Sequence, residues 1–269
     1  MSDKFERKVK LDIVTADATM SIDGLRVIFS IKKTRTREQN KSEIKVYNLS
    51  ETTRSTIKEE GRHVKLYAGY KNDIGLIFRG DIREVFHLKQ GADIITTITC
   101  GDGDNAIINT FVNKTIKRGT PLIDKLNYLV GLLAPDVQKG KFVGVDGLEG
   151  NQTATTFTGT VRDELDRLAE KYDFEYTIEN HKLNIVRNKQ NTGLSEVISP
   201  ETGMIEAPIA RENNKVEVKC LLNNNLKCND LFRLESKFIK RDYRIDRLTF
   251  EGDTHSSSTW LNKIEGIAL

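Results

Sequence analysis

The residues most capable of chemistry lie close together near the end of the chain, in the stretch FEGDTHSSSTW. A serine, a histidine and an aspartate are the components of a hydrolytic triad, in which the histidine takes the proton of the serine hydroxyl. Two carboxylates and a histidine are also ligand types that bind Zn²⁺. The stretch supplies both sets, together with the single tryptophan of the chain: Glu251, Asp253, His255, Ser256, Ser257, Ser258 and Trp260.

The spacing of these residues favours a turn between two strands over either kind of site. A nucleophilic serine needs a rigid elbow such as GxSxG and a base brought from elsewhere in the chain, whereas Ser256 directly follows His255. No second histidine lies at helical or hairpin spacing from His255. The sequence therefore predicts a polar turn, with no catalytic residue, no metal site and no cofactor. A hydrolase with a site near residues 253–257 remains an alternative hypothesis.

The other candidate residues have structural interpretations. His63, His87 and His181 are isolated from one another, and we interpret each as a surface or hydrogen-bonded structural residue. The segment GDGDN, which contains Asp102 and Asp104, lacks the spacing of a calcium loop and is interpreted as a strand-ending turn. The segment RDELDRLAEKY predicts a helix with its carboxylates on the solvent face: Asp163, Glu164, Asp166 and Glu170.

Two basic runs extend over residues 32–41 and 237–244. Neither carries a recognised RNA-binding signature or a series of interleaved stacking aromatics. The chain has 42 basic and 39 acidic residues, a net charge of +3, which predicts no strong attraction to nucleic acid or to an anionic membrane. We interpret the first run as a polar arm for protein contacts. A barrel-type nucleic-acid-binding protein is a second alternative hypothesis.

Length and composition predict a protein of two or three domains with small hydrophobic cores. The chain has 269 residues, of which 30% are charged and 38% hydrophobic. Cys100, Cys220 and Cys228 form no CxxC pair, which is typical of reduced thiols. The charged start MSDKFERKVK does not resemble a signal peptide, and the longest apolar run, YLVGLLA, is far below the roughly 20 residues of a membrane span. We expect synthesis in a cytoplasm and no membrane partner.

Alternating hydrophobicity predicts strands in two regions, residues 8–100 and 200–269. In the first region a helix is expected between Ser50, as N-cap, and Gly61. In the second, the segment RDYRIDRLTFEGD alternates, so that one side of the predicted strand carries Tyr243, Ile245, Arg247 and Thr249. In the first region, the order of strands with one covering helix predicts a barrel or sandwich.

Residues 104–187 between these regions have helical periodicity. We predict a helix with Thr120 as N-cap and Pro121 at the first helical position, a second helix capped by Thr160, and a hairpin with the turn ENHK. The glycine-rich segment VQKGKFVGVDGLEGNQ is expected to be a connector. The first helix places four leucines on one face: Leu122, Leu126, Leu129 and Leu133.

Three groups of motifs, in the same order along the chain, resemble the baseplate hub proteins of contractile phage tails. In the first region they are IKVYNLSETTRSTI, VKLYAGY and GLIFRGDI, and in the middle DELDRLAEKYDFEY followed by LNIV. The last region contributes VEVKCLLNNNLKCNDLFRLES and YRIDRLTFEGDTHSSSTWLNKIEG. The family usually has a Pro-Gly-like turn where this chain has Cys228, Asn229 and Asp230. Because asparagine tolerates the left-handed conformation, a turn is still expected there.

The resemblance, to the late control protein D-like hubs and the related hubs of type VI secretion spikes, implies a mechanical role. It implies an α+β, mainly β fold, in which tail-tube-like β-barrels at 1–103 and 199–269 flank an α+β insert at 104–198. Three chains would form a homotrimer whose six barrels adapt threefold to sixfold symmetry in the virion tail baseplate, assembled in the bacterial host cytoplasm. The expected partners are the tail tube or tube initiator, the central spike, and baseplate wedge or tape measure proteins, without specific nucleic acid and without enzymatic activity.

Overall fold

The computed structural model describes residues 6–35, 42–102, 104–150, 153–188, 190–256 and 259–268. The protein is mainly β, with 54% strand and 15% helix, which confirms the predicted class. It divides into two compact units. The β unit contains Met1–Thr34, Gln39–Asp102 and Leu194–Leu269, and the insert unit contains Arg35–Glu38 and Gly103–Gly193. No helix in the described ranges is long and apolar enough to cross a membrane.

The first part of the β unit contains the strands that alternation predicts and one that it missed. They are β1 Arg7–Val14, β2 Thr19–Ile22, β3 Val27–Thr34, β4 Ser42–Tyr47, β5 His63–Tyr70, β6 Asp73–Gln90 and β7 Asp93–Gly101. The missed strand, β2, has four residues, too few for a clear period. Helix α1, Glu51–Glu60, begins as predicted, with the Ser50 hydroxyl accepting a hydrogen bond from the Thr53 amide, and ends at Gly61.

The insert unit has more secondary structure than its sequence suggests. Its elements are α2 Asp104–Asn109, β8 Phe111–Ile116, α3 Leu122–Leu133, β9 Gln138–Val143, β10 Thr155–Thr160, α4 Val161–Tyr172, β11 Phe174–Glu179 and β12 Lys182–Arg187. The expected connector contains β9, which pairs in parallel with β12. The prediction of Thr120 as N-cap is wrong. Pro121 occupies that position without a side-chain bond, while the Thr120 hydroxyl donates to the Lys117 carbonyl oxygen.

The last part of the β unit is built from antiparallel strands and one parallel pair. The strands are β13 Leu194–Ile198, β14 Ile209–Arg211, β15 Lys215–Leu221, β16 Leu231–Glu235, β17 Lys240–Asp253 and β18 Trp260–Ala268. β13 pairs in parallel with β16. Before β16, Asn229 has a φ of 69°, the left-handed conformation that the sequence led us to expect of this turn.

Strand β17 joins the two β regions. Its first half, Lys240–Arg244, pairs with β16, its second half, Arg247–Asp253, pairs with β3, and β18 pairs along its other side. The strands of the β unit thereby form one 13-stranded sheet. Because strand pairing in the described part of the chain closes no barrel, the predicted pair of barrels is not confirmed.

The predicted alternation of β17 fails beyond Ile245. The register against β18 shifts between Ile245 and Arg247, which marks a β-bulge. A bulge adds one residue and reverses the side to which the following side chains point. Leu248 and Phe250 are therefore buried in the core, and Arg247 is exposed.

Each unit has its own hydrophobic core. Strands of both β regions contribute to the core of the β unit, for example through Ile31, Ile44, Phe232 and Ile264. In the insert unit the predicted leucine face of α3 is buried, with no member more than 2% exposed. The α4 residues Val161, Leu165 and Leu168 are buried in the same core as residues of the β11–β12 hairpin, and the partly buried Tyr172 packs against that core.

Candidate functional site

The polar cluster between Glu251 and Trp260 forms a turn between β17 and β18, as predicted. β17 ends at Asp253 and β18 begins at Trp260. The Asp253 amide donates to the Thr259 carbonyl oxygen at 2.9 Å, and the Ser256 amide donates to the Asp253 carbonyl oxygen at 3.3 Å. Ser257 and Ser258 lie outside the described residues.

The Asp253 carboxylate is held by an arginine from the other end of the chain. Arg26 donates to it from Nη2 at 2.7 Å and from Nε at 3.2 Å, a bidentate ion pair. The backbone amide of His255 donates to the same carboxylate at 2.9 Å. These donors, the Arg26 side chain first, lower the pKa of Asp253, so the carboxylate is kept ionised.

The turn does not assemble a triad from its described residues. Asp253 accepts from the backbone of His255, whereas the imidazole Nδ1 of His255 lies 3.2 Å from Thr254 Oγ1. In a triad the aspartate must accept from the ring in order to orient it. Ser256 takes part through its carbonyl oxygen, which accepts a hydrogen bond from Arg7 Nη1. The hydrogen bonds of the turn thus hold its backbone in place.

The two carboxylates of the alternative metal site, Glu251 and Asp253, are each paired with a cationic side chain. Glu251 forms an ion pair with Lys263 at 2.7 Å, and Asp253 is paired with Arg26. A metal ion would have to displace both cations, and His255 is exposed and bonded within the turn. The residues present therefore do not fit a metal site.

Trp260 anchors the turn to the core of the β unit. It is 1% exposed, and its ring packs against Phe29 in a T-shaped arrangement with a centroid distance of 5.6 Å. The Arg7 guanidinium lies 5.5 Å from the centre of the indole. Opposite Trp260 stands Gly252, where a Cβ atom would come within 2.3 Å of Phe29 Cζ. The sequence did not predict that Arg7 and Arg26 bind this turn, because their partners lie more than 200 positions away in the chain.

The acidic face of α4 is wrongly predicted at one position, because Glu164 is 0% exposed. Its carboxylate accepts from the Thr158 amide at 2.9 Å and from Arg167 Nη1 at 3.3 Å. Asp166 is only partly exposed and accepts from the phenol of Tyr176 at 2.6 Å. These carboxylates thus satisfy donors of the insert unit.

The remaining histidines make hydrogen bonds through their ring nitrogens. His63 Nδ1 lies 2.7 Å from Asp81 Oδ1, and His181 Nδ1 lies 2.9 Å from the Asp136 carbonyl oxygen. His87 Nδ1 lies 3.1 Å from Thr96 Oγ1, and partial burial lowers the pKa of His87. Of the carboxylates in GDGDN, Asp102 is buried after β7 and Asp104 begins α2.

The basic runs separate into buried and exposed parts. Residues 36–41 of the first run lie outside the described residues, and Lys33 is 3% exposed, with its ammonium 5.6 Å from the centre of the Phe250 ring. In the second run Tyr243 and Arg244 are buried. Its exposed cations lie at the β16–β17 turn: Lys237, Lys240 and Arg241.

Comparison with known families gives one match over almost the whole chain. The model of the family described as baseplate hub gp41 matches residues 8–263. No curated protein sequence matches the chain significantly.

Solved structures of tail and secretion proteins share the fold. The tail protein from Neisseria meningitidis MC58 has a TM-score of 0.67 and 7% identity, over 97% of this chain and 96% of that chain. The 43 kDa tail protein of prophage MuSo2 from Shewanella oneidensis has a TM-score of 0.65 and 11% identity, over 98% of each chain. The E. coli c3393 protein, a component of the type VI secretion system, has a TM-score of 0.63 and 9% identity, over 97% of this chain and 77% of that chain. At identities this low, the structural alignments show that the folds are similar.

Proposed function

The chain belongs to the baseplate hub gp41 family, and we propose that it is the hub that joins the tail tube to the central spike in a virion tail baseplate. The family match over residues 8–263 carries the proposal, because it includes both β regions and the insert in one alignment. The hub is assembled in the cytoplasm of the bacterial host and acts in a contractile injection system.

Three copies of the chain form the working hub in this proposal. Each contributes two tail-tube-like β-barrels, at 1–103 and 199–269, with the α+β insert at 104–198 between them. Six similar barrels in a ring present sixfold symmetry to the tube, and three chains present threefold symmetry to the spike. Support comes from the two antiparallel β regions of the β unit and from the strand β17 that pairs with both.

The proposed role is structural and not enzymatic. The carboxylates of the polar turn are engaged by Arg26 and Lys263, so the turn serves as a fixed loop on a rigid sheet. Loops held in this way are frequent contact sites for other proteins. The proposed partners are the tail tube or tube initiator, the central spike, and wedge or tape measure proteins, with no cofactor, membrane or specific nucleic acid.

The experiment is reconstitution with the neighbouring tail proteins. The chain is co-expressed with the tube and spike proteins of the same tail, and the purified complex is examined by native mass spectrometry and electron microscopy. We expect three copies of the chain per spike trimer, in a ring beneath a sixfold tube. A chain that stays monomeric in the presence of both neighbours, and is absent from assembled tails, contradicts the proposal.

A further inference from the structure

The turn between β16 and β17 is a rigid four-residue loop. The Ser236 amide donates to the Ile239 carbonyl oxygen at 2.8 Å, and the Ile239 amide donates to Ser236 Oγ at 2.9 Å. Ser236 is 6% exposed, and Ile239 packs against the core of the β unit. Both ends of the loop are therefore anchored, and the two residues between them, Lys237 and Phe238, project outward.

Phe238 is 83% exposed, more than any other large hydrophobic side chain in the described ranges. A phenyl ring in water forgoes the free energy that its burial would release. Because the loop is already ordered, burying this ring against a partner requires little further loss of backbone entropy. An aromatic side chain presented in this way is suited to anchor an interface.

The loop also carries a surplus of positive charge. The Lys237 ammonium lies 5.4 Å from the centre of the Phe238 ring, and Lys240 and Arg241 follow in the exposed start of β17. Within the part of the chain that the structure describes, no ion pair joins these three cations to a carboxylate. The nearby carboxylates, Glu235 and Asp242, both pair with Arg233.

We propose that the Phe238 loop, residues 236–239, and the adjoining Lys240 and Arg241 of β17 dock on a partner protein whose surface has an apolar recess rimmed by carboxylates. Phe238 fills the recess, and Lys237, Lys240 and Arg241 face the carboxylates. A protein is favoured over nucleic acid because the loop offers one ring, whereas single-strand binding uses several rings on which successive bases stack. The inference rests on the proposed function for the identity of the partner, which is a neighbouring protein of the assembled tail.

The test is photo-crosslinking in assembled tails, with p-benzoylphenylalanine in place of Phe238. The matched control has the same replacement at Phe111, which is 74% exposed in the insert unit. Crosslinked peptides are identified by mass spectrometry, and DNA and lipid adducts are measured in the same sample. We expect one protein to be captured, at a segment where carboxylates flank apolar residues. The added changes Lys240→Glu and Arg241→Glu lower the yield about tenfold or more, as like charges then face each other.

The outcomes separate this inference from the proposed function. If the chain is absent from assembled tails, the proposed function fails and with it the assignment of the partner. If the chain is present, the inference is overturned by adducts with DNA or lipid, by capture at a basic segment, or by a yield no higher than at Phe111. A yield that the two charge reversals leave unchanged overturns it as well. Thermal melting of each variant verifies that the β unit is folded.

Discussion

The turn after β17 and the first turn of α4 use carboxylates in the same way but obtain their partners from different distances. In the turn, Asp253 accepts from the backbone amide of His255 at 2.9 Å. In α4, Asp163 accepts from the Thr160 amide at 3.0 Å, and the Thr160 hydroxyl accepts from the Asp163 amide at 3.1 Å. Each carboxylate therefore satisfies a backbone donor that would otherwise need water.

The difference lies in the second partner of each carboxylate. The capping box of α4 is complete within four residues, so the helix start is specified locally. Asp253 depends in addition on Arg26, which is 227 positions away. The turn is thus fixed only when the two β regions have come together, and its stability depends on the contact between them. The following changes test this contrast, from the largest expected effect to the smallest.

Leu165→Ala tests whether α4 needs its packing in the core of the insert unit when its capping box is intact. Leu165 is 0% exposed in the core of the insert unit, and its truncation leaves a cavity. We expect a loss of about 2–5 kcal/mol in the stability of the insert unit. Hydrogen exchange of the α4 amides measures this loss, and the exposed Glu170→Ala on the same helix is the control. A loss below about 0.5 kcal/mol would mean that the leucine contributes no packing.

Glu164→Ala tests the carboxylate that the sequence placed on the solvent side. The change removes a buried carboxylate and leaves the part-buried Thr158 amide without its acceptor. We expect a loss of about 1–3 kcal/mol in the same hydrogen-exchange measurement. Glu164→Gln keeps an acceptor oxygen and serves as the matched control, with a smaller loss expected. Equal losses in the two variants would show that the charge, and not the hydrogen bond to Thr158, is what matters.

Arg26→Met tests the long-range partner of the turn. Asp253 is ionised in the fold with a lowered pKa, so its contribution is present above the unfolded pKa of about 3.9 and is lost as the pH falls through the lower folded value. We expect a loss of about 1 kcal/mol at pH 7, moderated by the partial exposure of Arg26, that shrinks below about pH 4. Urea unfolding, followed by the fluorescence of Trp260, measures the loss of stability at pH 7 and at the lower pH.

The control for this change is Arg211→Met. Arg211 and Glu217 form a bidentate pair, but both side chains are exposed, so we expect no measurable loss of stability and no dependence on pH. A loss in Arg26→Met that does not change with pH would contradict the assignment of the effect to the Asp253 carboxylate.

His255→Ala has the smallest expected effect. The side chain is exposed, and its ring Nδ1 lies 3.2 Å from Thr254 Oγ1, so we expect stability to change by less than about 0.5 kcal/mol. Purified wild-type and variant proteins are compared on ester, peptide and peptidoglycan substrates, with His87→Ala as control. Hydrolysis by the wild type that is lost only in His255→Ala would restore the triad hypothesis.

The features that sequence predicted are those whose partners lie nearby in the chain. The cap of Thr160 and the leucine face of α3 follow from spacings of three and four residues. The hairpin turn at Asn180 and His181, both with positive φ, follows from turn chemistry. The burial of Glu164, by contrast, depends on Thr158 in the preceding strand.

Features set by distant partners could not be predicted. The segment of β9 has little alternation and becomes a strand because β12 lies beside it. The bulge in β17 shifts the core side of that strand by one residue, and no local signal marks it. At the polar turn, sequence predicted the turn itself from its glycine, aspartate and serines, but not the arginines that secure it.

Because β17 is synthesised long after β3, its partner strand, the β unit cannot complete its sheet until late in synthesis. β3 leaves the ribosome early, whereas its partner in β17 follows more than 200 residues later, which corresponds to roughly 10–45 s at about 5–20 residues per second. During this interval the insert unit, which has its own core, has time to fold, while the edge of β3 stays unpaired. An open strand edge is a template for association with other nascent chains. Chaperone dependence and aggregation of this protein should therefore be decided in the time before β17 emerges.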